Sequence, residues 1–397
     1  MLNSNSILEG IRVVDLTRVL TGPFCAMMLG DMGADIIKVE RKGSGDDTRK
    51  WGPPFVEDES AYFLSINRNK RSITLNLKSE EGKQVLWELI EGADVVLENF
   101  RPGTMARFGF DYEAVKARKP DIVYCSISGF GQEGPASGLT AYDLIVQGMS
   151  GVMSVTGPPE MPTKFGVPTA DLTAGMFAAY GIMGALFHRL RSGEGQYIDT
   201  SMLGGQVAIL SYHAGMYLNT GRVPKSTWNA HGIVGPYQTF RAKDGYVNMA
   251  VGNDGIWQRF CAAMGLDELG ANETYALNGG RMANLPALIT EIEAAFGERN
   301  SAEILATLAQ AGVPAGPILN IDEVFDHPQA EYYQLRQQVE HATLGQINQI
   351  GFPYTFSATP PVIRRPPPTL GQHTDEVLDE LGYSAEKITA LKTSGAV

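Results

Sequence analysis

RVVDLTRVLTGPFCAMMLGDMGADIIKVE, residues 12–40, is the stretch on which the fold turns. Arg12–Leu16 is a short apolar run that reads as a strand, Gly22-Pro23 opens an apolar helix from Phe24 to Leu29, and Asp35–Glu40 reads as a second strand. The same rhythm continues outward. Ser79 stands where a helix wants its N-cap, Glu80 and Glu81 suit the positive helix end, and Val85, Leu86, Leu89 and Ile90 share one helical face. Asp94–Leu97 and Asp121–Ser128 are further strand candidates. Strands alternating with helices predict an α/β fold with a largely parallel sheet covered by helices.

A long helix rich in small residues is expected from Leu172 to about Arg191, ended by Ser192-Gly193, with Gly175, Ala178, Ala179, Gly181, Gly184 and Ala185 allowing close backbone packing. The composition shifts near Gly221–Val234, beyond which lie a strand (Tyr246–Val251) and more helices. At ~150 residues per domain, 397 residues suggest two or three domains. The formal net charge of −12 argues against a nucleic-acid partner, because phosphate backbones need a basic surface. The longest apolar stretches fall short of the ~18 residues of a spanning helix, so no membrane role is expected. Residues Met1 to Gly10 show no basic region followed by an apolar one, and the three scattered cysteines form no disulfide framework. A reducing, cytoplasmic setting is the expectation.

Gly129-Phe130-Gly131-Gln132-Glu133-Gly134 fits GxGxxG after a strand, but Pro135-Ala136-Ser137-Gly138 continue a loop where a dinucleotide fingerprint must open a helix. A flexible loop beside a site is the better reading. No GxSxG elbow is present, and the six histidines form no close metal pattern, so no metal is expected. Asp171 stands just before the long helix. An N-cap role alone would explain it. That role is also compatible with a nucleophile, since a helix N-terminus keeps a carboxylate ionised. Basic segments at 38–46, 67–72 and 98–103, with Arg107 close behind, follow predicted strands. Positive charge then gathers at the carboxyl ends of several strands, the edge where open α/β sheets bind ligands.

RVVDLTRVLTGPF, KVERKGSGDDTR, NRNKRSITLNLK, VLENFRPG, the Asp171 segment and RSGEGQYIDTSM, in this order, resemble the family III CoA-transferases, which include formyl-CoA and carnitine-type CoA-transferases and the related α-methylacyl-CoA racemases. GVPAGPILNIDEVF and RPPPTLGQHT look most like the dicarboxylate-specific branch, with its glutarate- and succinate-handling members. The resemblance covers essentially the whole chain. It implies a Rossmann-like large domain built from both chain ends (residues 1–215 and 325–397), a smaller α+β domain inserted between (216–324), and an interlocked homodimer. It implies Asp171 as the catalytic residue, and CoA contacts at Leu20, Arg41, Leu75, Lys78, Asn99, Phe100, Arg101 and Arg107, although the family often has glycine where Arg101 stands. Tyr142 and Asp143 match a segment near the thioester, and Trp51 and Tyr62 match residues that line the acyl pocket.

The implied activity is transfer of CoA from an acyl-CoA donor such as succinyl-CoA to a free C4–C6 dicarboxylate. Asp171 would pass through an anhydride and an aspartyl-CoA thioester, dividing one difficult exchange into easier steps with no cofactor beyond the thioester substrate. Two departures bear on the branch. The formyl-CoA enzymes carry glutamine at Leu20 and a glycine run at His231–Gly235, which argues against oxalate or formyl specificity. The racemases carry histidine at Tyr142, and without that partner the two-base chemistry of the alternative reading, a racemase or epimerase, is disfavoured. The Ala230–Gly235 loop is a candidate lid, with His231 and Gly232 at the substrate; His231 or Arg49 would pair with the distal carboxylate.

Overall fold

The computed structural model describes residues 6–397. Six strands, β1 (Arg12–Asp15), β2 (Asp35–Arg41), β3 (Lys70–Leu75), β4 (Val95–Glu98), β5 (Val123–Ser128) and β6 (Gln196–Ser201), form one sheet. Its order is β3-β2-β1-β4-β5-β6 and every pairing is parallel. This is the doubly wound Rossmann order, with its switch point between β1 and β4. Strand β1 opens at Arg12, registers with Asp35 of β2, and ends at Asp15 beside Lys38.

Helices α1 (Thr21–Asp31), α2 (Ala61–Ile66), α3 (Glu80–Glu91), α4 (Thr104–Phe108), α5 (Tyr112–Arg118), α6 (Asp143–Met149) and α7 (Thr169–Ser192) connect and cover the strands. Ser79 caps α3 by accepting the Gly82 N–H at 3.1 Å. One sheet face buries Val85, Leu86 and Leu89 of α3 with Val377, Leu378 and Leu391 from the chain's end. The other buries Cys25, Ala26 and Leu29 of α1 with Ala174, Ala178 and Ile182 of α7. Both chain ends thus build this unit: residues 12–201 supply the sheet, and helices Thr374–Glu380 and Ala385–Ser394 supply part of its cover.

Two glycines explain how α7 lies. Gly193 ends it in the left-handed region, at φ 78°. A Cβ on Gly175 would stand 2.7 Å from the Thr21 carbonyl oxygen, so α1 and α7 approach there as only glycine permits. By length and composition the 24-residue α7 is apolar enough to cross a membrane, contrary to the sequence expectation; half of its most apolar window is buried within the protein. The sequence pattern missed this because small residues and glycines, rather than a solid apolar run, carry the hydropathy.

Two compact units divide the chain. The large one comprises residues up to Val152, Phe165–Ala214 and Pro328–Val397. The small one comprises Met153–Lys164 and Gly215–His327. The division differs from the expected one chiefly in residues 153–164, an excursion ahead of α7 that carries Gly157, Pro158, Pro159 and Pro162. In the small unit, strands β7 (Tyr237–Ala242), β8 (Gly245–Ala250) and β9 (Ala315–Pro317) form an antiparallel sheet. Helices close over it around Phe240, Trp257, Phe260 and Phe296.

Candidate active site

The β1–α1 loop is built on buried charges. Asp15 ends β1 and accepts the Thr17 N–H at 2.9 Å. Lys70 Nζ reaches Asp15 at 3.3 Å, the Pro23 carbonyl at 2.8 Å and Asn67 at 2.9 Å. Lys38 Nζ donates to the Thr17 carbonyl and to Asp46, each at 2.9 Å. The second oxygen of Asp46 accepts the Val19 N–H at 3.1 Å. Burial alone would raise the Asp46 pKa, but the Lys38 ammonium and the Thr48 and Val19 N–H donors hold it at about 2. Burial brings Lys70 down to about 8 against the pull of Asp15. These contacts hold Val19 at φ 69°, a left-handed conformation that a β-branched residue rarely adopts. Asn99 clamps the next turn, accepting the Arg18 N–H at 3.0 Å and donating to the Arg18 carbonyl at 2.8 Å. The chain so bent delivers Thr21, the first residue of α1, to Asp171.

Asp171 is not an N-cap. Helix α7 begins at Thr169, and Pro168 occupies the cap position without a side-chain acceptor. Proline suits a helix entrance because it has no N–H to satisfy. The capping acceptor comes from another element: Asp143 Oδ1 accepts the Ala170 N–H at 2.9 Å, while Oδ2 accepts from Gln147 at 2.8 Å. Asp143, expected beside the thioester, is thus committed to holding the start of α7. Asp171 projects from the first turn, and its Oδ1 accepts the Thr21 hydroxyl.

The sequence also predicts a depressed Asp171 pKa, and the structure reverses this. Burial pushes the carboxyl up to about 6; the Thr21 hydroxyl opposes, and the Asp143 charge adds to the rise. The helix-end amide that would have stabilised the carboxylate is engaged by Asp143. A nucleophilic carboxylate must be ionised, so log kcat/KM is expected to fall with unit slope as pH drops below about 6. A rate profile flat from pH 8 to 4.5 would contradict the assignment.

Two clefts run along the carboxyl edge of the sheet. One, of ≈ 260 Å³, is lined by Arg41, Leu75, Lys78 and Phe100 among others. The other, of ≈ 180 Å³, holds Asp171 together with Asn99, Phe100, Arg101 and Tyr142. Arg18 and Phe100 line both, so the clefts adjoin at the switch point. Beneath Phe100, the buried Glu98 accepts its N–H at 2.8 Å; burial pushes this carboxyl up to about 7. Leu20 is buried and Arg107 donates to Thr104, and neither lines these clefts. Sequence reasoning missed Arg18 and Thr21, whose signal was available: they are polar positions just past the end of β1.

Trp51 and Tyr62 meet edge to face, with ring centroids 5.3 Å apart. Burial, reinforced by the Asp171 charge, pushes the Tyr62 hydroxyl up to about 12. Arg49 does not serve as expected. It forks onto Glu40 at 2.8 and 2.7 Å, donates to the Pro368 carbonyl at 3.1 Å and lies over the Phe63 ring. Its guanidinium is consumed in neutralising a buried carboxylate, leaving nothing for a ligand. Arg49→Ala is therefore expected to destabilise by about 3 kcal/mol in urea unfolding, the cost of leaving Glu40 buried with the Ser72 hydroxyl and the Asp46 N–H but no guanidinium, without selectively raising KM for dicarboxylates. A dicarboxylate-specific KM rise at unchanged stability would reverse that reading.

His231 and Gly232 belong to the small unit. The His231 ring stacks on Tyr237 at 5.2 Å and its Nδ1 accepts the Ile233 N–H at 3.3 Å. Asn278 holds the Gly235 N–H and the Ile233 carbonyl, and Arg281 donates to the Gly235 carbonyl at 2.8 Å. The candidate lid is therefore fastened at its Ile233–Gly235 end.

Comparison with known proteins agrees with this geometry. Residues 8–374 match the model of CoA-transferase family III. The chain is similar to human succinyl-CoA:glutarate CoA-transferase, 42% identical over 100% of this chain and 91% of that protein. It is similar also to acetyl-CoA:oxalate CoA-transferase of Acetobacter aceti, 43% identical over 81% of this chain and 83% of that protein. A CaiB/BaiF family protein from Brucella suis superposes with a TM-score of 0.85 at 40% identity, over 95% of this chain and 100% of that one. With a parallel doubly wound sheet, paired clefts at its switch point and a part-buried aspartate at the end of one of them, the chain belongs to the family III CoA-transferases.

Proposed function

We propose that this enzyme moves CoA from succinyl-CoA to a C4–C6 dicarboxylic acid through an anhydride and a thioester on Asp171. The observation that carries the mechanism is the place of Asp171: part-buried, bonded to Thr21 through one oxygen, and lining the cleft that adjoins the one formed by Arg41, Leu75 and Lys78. In this reading the cleft lined by Arg41, Leu75 and Lys78 holds the nucleotide end of CoA and the Asp171 cleft the thioester. The Asp171 carboxylate attacks the donor carbonyl and expels the thiolate, which returns to the Asp171 carbonyl and expels the donor acid. The acceptor acid then repeats both steps in reverse. Burial limits the hydrolysis of the anhydride, and the chemistry calls for no group beyond the thioester.

The dicarboxylate choice rests on the named activities of the relatives and on the cation supply. With Arg49 engaged, Arg18 and Arg101 are the cations lining the Asp171 cleft. The activity of the Acetobacter relative means that oxalate belongs among the acids tried. Incubation with succinyl-CoA and oxalate, glutarate, itaconate, mesaconate or citramalate, read by mass spectrometry, is expected to give a new thioester of a C4–C6 acid. Charging of oxalate alone would overturn the substrate assignment. Solvent deuterium at the α-carbon of a 2-methylacyl-CoA without any acceptor would instead favour a racemase.

We further propose an interlocked homodimer. Helix α7 leaves Met176, Phe177, Tyr180, Phe187 and Leu190 exposed on one stripe, Tyr180 at 80% and Leu190 at 83%, an apolar face that a second copy would cover.

A further inference from the structure

Among the described residues, Thr21 alone sends a side-chain hydrogen bond to Asp171, and no sequence motif singled it out. Its hydroxyl donates to Oδ1 of Asp171, and among the described residues no protein donor reaches Oδ2. The hydroxyl is fixed from both sides. Thr21 is 4% exposed at the start of α1, its carbonyl packs where Gly175 of α7 passes, and the Lys38–Asp46–Val19 contacts set the loop that precedes it. Leu20 holds the N-cap position of α1 and has no side-chain acceptor, so the Thr21 hydroxyl is not a cap. It donates instead to an aspartate 150 residues away.

We propose that Thr21 assigns the two Asp171 oxygens their separate roles, keeping Oδ2 as the attacking atom and stabilising negative charge on Oδ1 when CoA thiolate attacks the Asp171 carbonyl. This rests on the transferase mechanism proposed above. Oδ2 forms its bond to the donor carbonyl carbon, the carbon–sulfur bond breaks, and the thiolate leaves with the electron pair. Oδ1 remains the carbonyl oxygen of the resulting anhydride, still facing the Thr21 hydroxyl. The thiolate then bonds to Cγ of Asp171 and the carbonyl pair moves onto Oδ1. Collapse breaks the Cγ–Oδ2 bond and releases the donor acid carrying Oδ2. Thr21 keeps its proton throughout and acts as a preorganised donor where charge develops. The N-terminal end of α1, at the same oxygen, adds the positive end of its dipole.

The charged and titratable groups around Asp171 are Asp143 of α6, Tyr142 just ahead of it, Tyr62 of α2, Arg18 in the β1–α1 loop, Asp47 after β2, and Arg101 after β4. None replaces a hydroxyl donor on Oδ1. Because that donor favours the ionised carboxyl, its loss raises the pH at which Asp171 ionises.

The test compares wild type, Thr21→Val and Thr21→Ser with succinyl-CoA and glutarate, following transfer and donor hydrolysis together. Thr21→Val is expected to keep its melting temperature and KM for succinyl-CoA. Its kcat should fall about 100-fold, its acid limb move to higher pH, and its ratio of hydrolysis to transfer rise as the slowed thiolate leaves the anhydride to water. Thr21→Ser restores all three. An unmoved acid limb and an unchanged hydrolysis ratio in Thr21→Val overturn the proposal, whatever happens to kcat, and so does failure of Thr21→Ser to restore them. If wild type itself shows neither transfer nor a trapped Asp171 adduct, the transferase mechanism fails, and that result is distinct from an unaffected Thr21 variant.

Discussion

Asp171→Asn is expected to abolish CoA transfer, by a factor on the order of 10³–10⁶, while making the folded protein more stable at neutral pH. The amide keeps the shape of the carboxyl and an acceptor for Thr21, but cannot form the anhydride. The opposite effect on stability follows from the environment. Burial pushes Asp171 from 3.8 to about 6, so between those values the folded chain binds more protons than the unfolded chain. Stability contributed by this group therefore falls as pH rises through that window, and the ionised form is a cost carried at pH 8. The cost is at most about 3 kcal/mol, and solvent reaching a part-buried group lowers it. Thermal unfolding at pH 8 should show Asp171→Asn above wild type, with the gap closing at pH 4.5. Loss of activity with lost stability would point to a structural carboxylate.

Asp46→Ala is expected to cost about 3–5 kcal/mol of stability, because it strands the Lys38 ammonium in the interior. Both side chains of this pair are 0% exposed, and among the described residues the ammonium bonds only the Thr17 carbonyl besides. The same substitution frees the Val19 N–H, so Val19 has less reason to stay at φ 69°. Loss of kcat is then expected to accompany loss of stability, because the Val19 turn delivers Thr21 to Asp171. Lys38→Met with Asp46→Leu, which removes both charges, should recover much of the stability and little of the activity. Urea unfolding of the single and double variants measures the first effect, and steady-state transfer the second. Full activity in the double variant would show that the turn does not depend on Asp46.

The sheet was legible because its strands are apolar runs at the spacing of βαβ units. Residues 12–40 alone predicted β1, α1 and β2 to within about a residue at most boundaries. The cleft residues Arg41, Leu75, Lys78, Asn99, Phe100 and Arg101 followed from resemblance together with the rule that ligands bind at the carboxyl edge. What sequence did not reveal depends on partners far apart in the chain. Arg49 read as a free cation because nothing local shows Glu40 and Pro368 closing on it. Asp171 read as its own helix cap because Asp143, which takes that role, lies 27 residues before the Ala170 amide that it accepts. The direction of the Asp171 pKa likewise needed burial, which no spacing encodes. Lys38 and Lys70 read as a basic surface, whereas both are fully buried counter-ions of Asp46 and Asp15.

The most direct measurement of the account is made on the protein rather than on its products. Wild type is mixed with succinyl-CoA without acceptor, quenched, treated with hydroxylamine and digested, and the peptide spanning residue 171 is sequenced by mass spectrometry. A CoA adduct is expected before treatment and a hydroxamate on Asp171 after it, both absent from Asp171→Asn. Transfer that proceeds at full rate with Asp171 unmodified, or with the adduct on another side chain, would contradict it.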